Sequence, residues 1–185
     1  MMILGLAAFA IFIFSIGGIV QDNNELIEPY FIKYDDLFYS YAKKYGLDWR
    51  WLKAIAMNES DLGRAASVKK GLLNPNDIQG SKSSDGLSWG LMQVTIRTAR
   101  DLDKSATEVK LNNPAYSVDL AARLLKNLKT QFNPSDPRYM EWVIKSYNQG
   151  AGNTKKEIAS GKGYADEYWH RFKRNILKIN QEQLK

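Results

Sequence analysis

Residues 53–63 read KAIAMNESDLG, and the place of one carboxylate in that stretch decides how the chain is read. Glu59 follows Ala56, Ile55 and Leu52 at intervals of three, four and seven, the spacing of side chains that share one face of an α-helix. The helix starts upstream, with Asp48 as N-cap before Trp49. A glutamate on the apolar stripe, in the last turn, is poorly placed to be an anion. Burial disfavours the ionised form, and the negative end of the helix macrodipole disfavours it by a further ~0.3–1 kcal/mol. Both effects favour a carboxyl that keeps its proton near neutral pH. The bland alternative is a rim carboxylate paired with a base, and this stretch alone leaves both open.

The flanking segments read as helices too. DDLFYSYAKKYG (35–46) opens on Asp35 and Asp36 as caps and closes at Gly46, a C-terminal stop. In 112–132, Asn113 is an N-cap and Pro114 the first helical residue, and Val118, Ala121, Leu125, Leu128 and Phe132 form one stripe. DPRYMEWVIKSYNQG (136–150) repeats the design with Asp136, Pro137 and a stop at Gly150. A shorter helix is expected around 96–103, and an amphipathic one runs from about 164 to 179 with Tyr168, Phe172 and Ile176 in line. No long β-alternation and no internal repeat is visible. Residues 61–87 are rich in Gly, Ser, Asn and Asp and read as a long loop, an irregular insert or a small β-hairpin. The expected fold class is all-α.

Composition narrows the chemistry. There is no cysteine, so no disulfide framework and no thiolate metal site. The one histidine, His170, rules out a zinc site with several imidazoles and argues against a Ser–His nucleophile. Acid–base work therefore falls to carboxylates or tyrosines, and neither metal nor cofactor is expected. The net charge of +6 is uneven: the first 40 residues hold five acids and one base, leaving about +10 on the remainder. That excess suits an anionic polymer such as cell wall, nucleic acid or a membrane surface. Scattered lysines on solvated faces are the plain alternative. No nucleic-acid reader motif is present, so no nucleic acid is expected as partner.

Residues 2–20, MILGLAAFAIFIFSIGGIV, are nineteen uncharged, largely apolar residues. At ~1.5 Å per residue they match a ~30 Å hydrocarbon core. No basic residue precedes them and GGIVQDNN is a poor signal cleavage site. The expected organisation is a transmembrane anchor over 1–21, a spacer over 22–34 and a globular domain over 35–185. The expected orientation puts the N-terminus in the cytoplasm and the domain on the extracytoplasmic side.

Four short stretches complete the reading: Glu59-Ser60, Ser88-Trp89-Gly90-Leu91-Met92-Gln93, Tyr147-Asn148-Gln149-Gly150 and the aromatic run around Tyr168. In this order they resemble the soluble lytic transglycosylase and goose-type lysozyme superfamily, over roughly residues 35–178. The resemblance implies a lysozyme-like α domain that cleaves the MurNAc–GlcNAc β-1,4 bond of peptidoglycan, leaving 1,6-anhydromuramic ends. It implies Glu59 as the single general acid and base. Gly90, Leu91, Met92 and Gln93 would shape the floor beside it, with Gln93 contacting an N-acetyl or hydroxyl group. Tyr147 would hydrogen-bond near Glu59, Asn148 would hold its turn, and Tyr168 would close the site. Ser60 would support the helix end, Ser60 and Ser88 would belong with these residues to the substrate-binding set, and Trp89 would stack on sugars.

Ser146 stands where the family usually has Ala. Thr95 stands where goose-type hydrolytic members have Asp, while Asp77 and Asp85 are the free candidates for a second carboxylate. A hydrolase of the same fold and a non-catalytic wall-binding module are the rival readings. Peptidoglycan strands, the membrane, and a phage-entry, conjugation or secretion machine are the partners this layout suggests. A virion membrane is the other setting for the anchor.

Overall fold

The computed structural model describes residues 29–64 and 87–184. The expected anchor over 1–21, most of the 22–34 spacer, and Asp77 and Asp85 lie outside the described residues. Among the described residues no helix is long and apolar enough to cross a membrane.

The described chain is mostly helical. A short α1 (Pro29–Ile32) leads into α2 (Asp35–Tyr45) and α3 (Trp49–Ser60). A two-stranded antiparallel hairpin, β1 (Ser88–Trp89) and β2 (Val94–Thr95), follows, with Ser88 opposite Thr95 and Trp89 opposite Val94. Then come α4 (Ile96–Leu102), α5 (Glu108–Leu111), α6 (Pro114–Lys129), α7 (Tyr139–Gln149), α8 (Ala151–Ser160) and α9 (Asp166–Glu182). Helix α3 packs between α2 and α9, and α7 bridges α6, α8 and α9. Phe38, Leu52, Ile55, Leu91, Met92, Leu120, Leu125, Ile144 and Phe172 are fully buried at this junction. Side chains of this size contribute ~1.5–3 kcal/mol each when removed from water.

Several helix ends follow the expected chemistry. Asp48 accepts from the Arg50 N–H and Asn113 from the Tyr116 N–H, with Pro114 in the first turn. Gly46 ends α2 in the left-handed conformation. Thr95, at the position of the hydrolases' Asp, caps α4 by accepting from the Thr98 N–H.

Other expectations need correction. Asp35 and Asp36 do not cap α2. They lie in its first turn, and Asp35 instead meets the buried Lys53 ammonium at 2.8 Å, because a desolvated charge needs its counter-ion more than a helix end needs a cap. Asp136 and Pro137 do not open α7 but form a turn ahead of it, with Asp136 accepting from the Arg138 N–H and from the Trp142 indole. Phe31 and Tyr34 are buried in the core, so packing begins inside the stretch read as a spacer. Helix α8 was not anticipated, since its buried residues, Thr154 and Glu157, are polar and leave no apolar stripe.

Candidate active site

Glu59 occupies the last turn of α3, and the apolar neighbours its spacing implied, Leu52, Ile55 and Ala56, are all fully buried. Beyond Ser60 the backbone turns sharply. Asp61, Leu62 and Gly63 are all left-handed, with φ of 49°, 53° and 82°. For Leu62 this is a strained conformation. It is held because the side chain is buried and its N–H reaches the Ala56 carbonyl at 3.2 Å.

The Ser60 hydroxyl ties this corner to the hairpin. It donates to the Leu91 carbonyl at 2.7 Å and accepts from the Gly63 N–H at 3.0 Å. Ser60 thus ties the end of α3 to the Gly90–Gln93 turn.

That turn is pinned from several sides. Gly90 has φ +78°, and a Cβ there would lie 2.0 Å from the Leu111 carbonyl oxygen, so only glycine fits. The Ser117 hydroxyl of α6 accepts from the Met92 N–H at 3.1 Å. Leu91 and Met92 are fully buried, so their side chains support the floor from beneath. The Gln93 amide folds back to donate to the Gly90 carbonyl at 2.8 Å. Ser88 and Trp89 form the first strand of the hairpin, and the half-buried Trp89 packs against the core.

Two tyrosines close on this corner. The Tyr168 hydroxyl, at the start of α9, donates to Glu59 Oε1 at 2.6 Å. Its main-chain carbonyl accepts from the Asn58 amide at 3.1 Å, and Asn58 in turn accepts from Asn175 at 2.9 Å. The Tyr147 hydroxyl donates to the Met92 carbonyl at 2.8 Å rather than to Glu59. Burial, reinforced by the nearby Glu59 charge, raises the Tyr147 pKa well above the usual tyrosine range. The Asn148 side chain is exposed. The turn after it is closed by the Gly150 N–H on the Ser146 carbonyl and the Asn153 amide on the Gln149 carbonyl.

The electrostatics follow from this packing. Desolvation pushes the Glu59 carboxyl up to about 7, against the opposing pull of the Tyr168 hydrogen bond and the Arg171 charge. The residue keeps some exposure at its edge, which suits a group that must meet a ligand while most of its hydration is gone. Burial, reinforced by the neighbouring Glu59, also holds Tyr168 neutral, well above the usual tyrosine range. The site thus presents one protonatable carboxyl and two hydrogen-bonding phenols at neutral pH. It can deliver a proton to a bound leaving group and take one back.

Asn58, Ser117, Arg171 and Asn175 are parts that sequence reasoning missed. A serine or asparagine on a helix face carries no periodic signal until its partner in another helix is known. Glu141, Glu157 and Asp166 bring carboxylate oxygens within 4.8 Å of one another, but the buried Lys145 ammonium already fills the cation position among them.

The geometry agrees with the resemblance carried by the motifs, and comparison with known proteins points the same way. The chain belongs to the family of the transglycosylase SLT domain, whose model matches residues 36–170. Membrane-bound lytic murein transglycosylase F of Pseudomonas fluorescens is 28% identical over 155 residues, covering 82% of this chain and 28% of that protein. Its counterpart in Stutzerimonas stutzeri is 24% identical over the same length. Membrane-bound lytic murein transglycosylase C of Yersinia enterocolitica is 32% identical over 145 residues, covering 72% of this chain and 36% of that protein. The chain thus spans about a third or less of the length of these relatives.

Proposed function

We propose that this protein is a peptidoglycan lytic transglycosylase that cleaves the MurNAc–GlcNAc β-1,4 bond with Glu59 as sole general acid and base. The observation that carries the reading is the Glu59 carboxyl, raised to about 7 by desolvation and held by Tyr168 at 2.6 Å. Glycoside cleavage needs a proton on the leaving oxygen and stabilisation of an oxocarbenium-like centre. Glu59, protonated, donates to the leaving O4 of GlcNAc as the C1–O4 bond breaks. The muramic N-acetyl carbonyl oxygen assists at C1. The Glu59 carboxylate then takes the proton of the sugar's own C6 hydroxyl, whose oxygen bonds C1. The product is a 1,6-anhydromuramic end, and Glu59 is protonated again.

Thr95 favours this outcome over hydrolysis, because it caps α4 where the hydrolytic members' Asp would stand. Tyr168 steadies Glu59 through both transfers, and Tyr147 holds the Gly90–Gln93 floor against which the sugar rests. Asn148, exposed and free of described partners, faces solvent as a substrate contact. The apolar run 2–20 acts as the anchor and the domain works on the periplasmic side, in line with the printed description of the relatives as membrane-bound. The setting we infer for such an anchored enzyme is local opening of the wall by a phage-entry, conjugation or secretion machine.

Digestion of purified sacculi by the wild type and by Glu59→Gln, read by mass, tests the reading. Anhydro-ended muropeptides from the wild type alone are expected. Reducing ends only would make the protein a hydrolase, and no release by the wild type would leave a wall-binding module.

A further inference from the structure

Lys145 lies two residues before Tyr147, its side chain completely inaccessible to solvent. Its ammonium contacts Glu141 one turn earlier in α7 at 3.0 Å, Glu157 of α8, and Asp166 in the first turn of α9. Burial alone would drive this lysine to lose its proton, but the hydrogen bonds it donates to Asp166, Glu157 and Glu141 more than offset that and hold it charged. Asp166 is different in kind from its neighbours: 57% of its side chain is exposed, so it could turn to water, yet it reaches inward to Lys145. Gly163 makes room for that reach. A Cβ there would lie 1.8 Å from Asp166 Oδ2.

Positions two apart on a helix point about 200° away from each other. Lys145 and Asp166 therefore lock α7 to α9 on one face. Tyr147 and Tyr168, two residues further along each helix, project from the other face towards Met92 and Glu59.

We infer that the Lys145–Asp166 ion pair is a positioning device that sets the start of α9 against α7 and so keeps the Tyr168 hydroxyl on Glu59. The inference rests on the reading of Glu59 as proton donor, and Lys145 and Asp166 act only through Tyr168. A buried ion pair serving stability alone predicts a loss of melting temperature and nothing specific at Glu59. Positioning predicts more. Tyr168 and Arg171 from α9 and Tyr147 from α7 are the titratable and charged described groups acting on Glu59. Of these, Tyr168 supplies the hydrogen bond that favours the carboxylate. Loosening it raises the Glu59 pKa. Around Asp166 stand Lys145 and Arg138, the Glu141 and Glu157 carboxylates, and the imidazole of His170.

Two variants of the full chain separate the cases. Asp166→Asn removes the charge. Gly163→Ala keeps every charge but displaces the flexible Asp166 carboxylate. Carbon-13 NMR titration of the Glu59 carboxyl is expected to shift upward in both. The kcat on murein should fall about tenfold, as small misplacements at a reacting centre do, with KM little changed. In a Tyr168→Phe background neither substitution should cause a further loss. A Glu59 titration identical to wild type, or losses that multiply with Tyr168→Phe, would overturn the inference. The NMR readout needs no substrate, so a wild type inactive on murein would remove the proposed function while leaving the clamp to stand or fall by titration. If Asp166→Asn does not fold, Gly163→Ala carries the test.

Discussion

Glu59 and Asp119 are both carboxylates on largely buried helix faces, and they are driven in opposite directions. Asp119, in the middle of α6, accepts from Lys44 at 2.8 Å, Tyr45 at 2.7 Å and the Arg123 Nε at 2.7 Å. Burial works to raise it, but those hydrogen bonds and the Arg123 charge hold it below the usual aspartate range. Glu59 meets one neutral hydroxyl and a guanidinium that makes no hydrogen bond to it, and burial wins. The number and charge of donors, more than depth, decides whether a buried carboxyl is an ion or an acid. Asp119 is thus kept as an ion that ties helices together, while Glu59 is left an underpartnered acid.

The comparison breaks first at Glu59. Glu59→Gln keeps shape and hydrogen-bonding capacity but cannot give up or accept a catalytic proton. Release of muropeptides is expected to drop by ~10²–10⁴-fold or more, with circular dichroism unchanged. The stability effect has a definite sign. Below the unfolded pKa of about 4.3 wild type and variant differ little on this account. As pH rises towards 7 the unfolded chain ionises while folded Glu59 keeps its proton, so the wild type loses stability that the variant retains. Urea midpoints measured at pH 4 and pH 8 should show the variant gaining on the wild type.

Asp119→Ala should do the reverse, leaving the chemistry intact and weakening the fold. The Tyr45 hydroxyl and the inner donors lose their acceptor, a loss of ~1–3 kcal/mol. Because the folded pKa of Asp119 is depressed, that stabilisation is present above about pH 4 and vanishes as pH falls through the folded value. The unfolding midpoints of wild type and variant should therefore converge in acid. Equal midpoints at pH 7 would show that the three donors contribute nothing.

Tyr168→Phe removes the one side-chain hydrogen bond Glu59 makes among the described residues. Activity on sacculi should fall by roughly tenfold, the worth of a hydrogen bond to a charged group, and the alkaline limb of the pH–rate profile should move upward. Arg171→Gln carries the smallest effect. Its exposed charge pulls Glu59 down only through space, so the limb should rise slightly at low salt and the difference should fade at high salt. An alkaline limb that falls in either variant contradicts the account of Glu59.

Much of the site was legible because local rules governed it. The caps at Asp48 and Asn113 and the stop at Gly46 are one-turn chemistry. Glu59 on an apolar face is a matter of spacing alone. Where the reading failed, a distant partner had overridden the local rule. Asp35 was drawn from its cap to Lys53, and Gln149, whose stretch read only as a helix end, bonds Glu157 of a helix that periodicity could not show. Lys145 carries no local signal of burial, and it is the most enclosed charge of the Glu141–Glu157–Asp166 cluster. The partner of the Tyr147 hydroxyl, the Met92 carbonyl, likewise lies 55 residues away, beyond the reach of local spacing.

By itself, the sequence determined a helical domain, a greasy helix ending in Glu-Ser, and an ordered set of motifs that names its family. These depend on spacing and capping, which act within a few residues along the chain. Only the tertiary structure decided which carboxyl keeps its proton. That depends on which donors distant helices bring to each acid, α9 from 109 residues away for Glu59 and α2 from 74 and 75 residues away for Asp119, and on how little water is left between them.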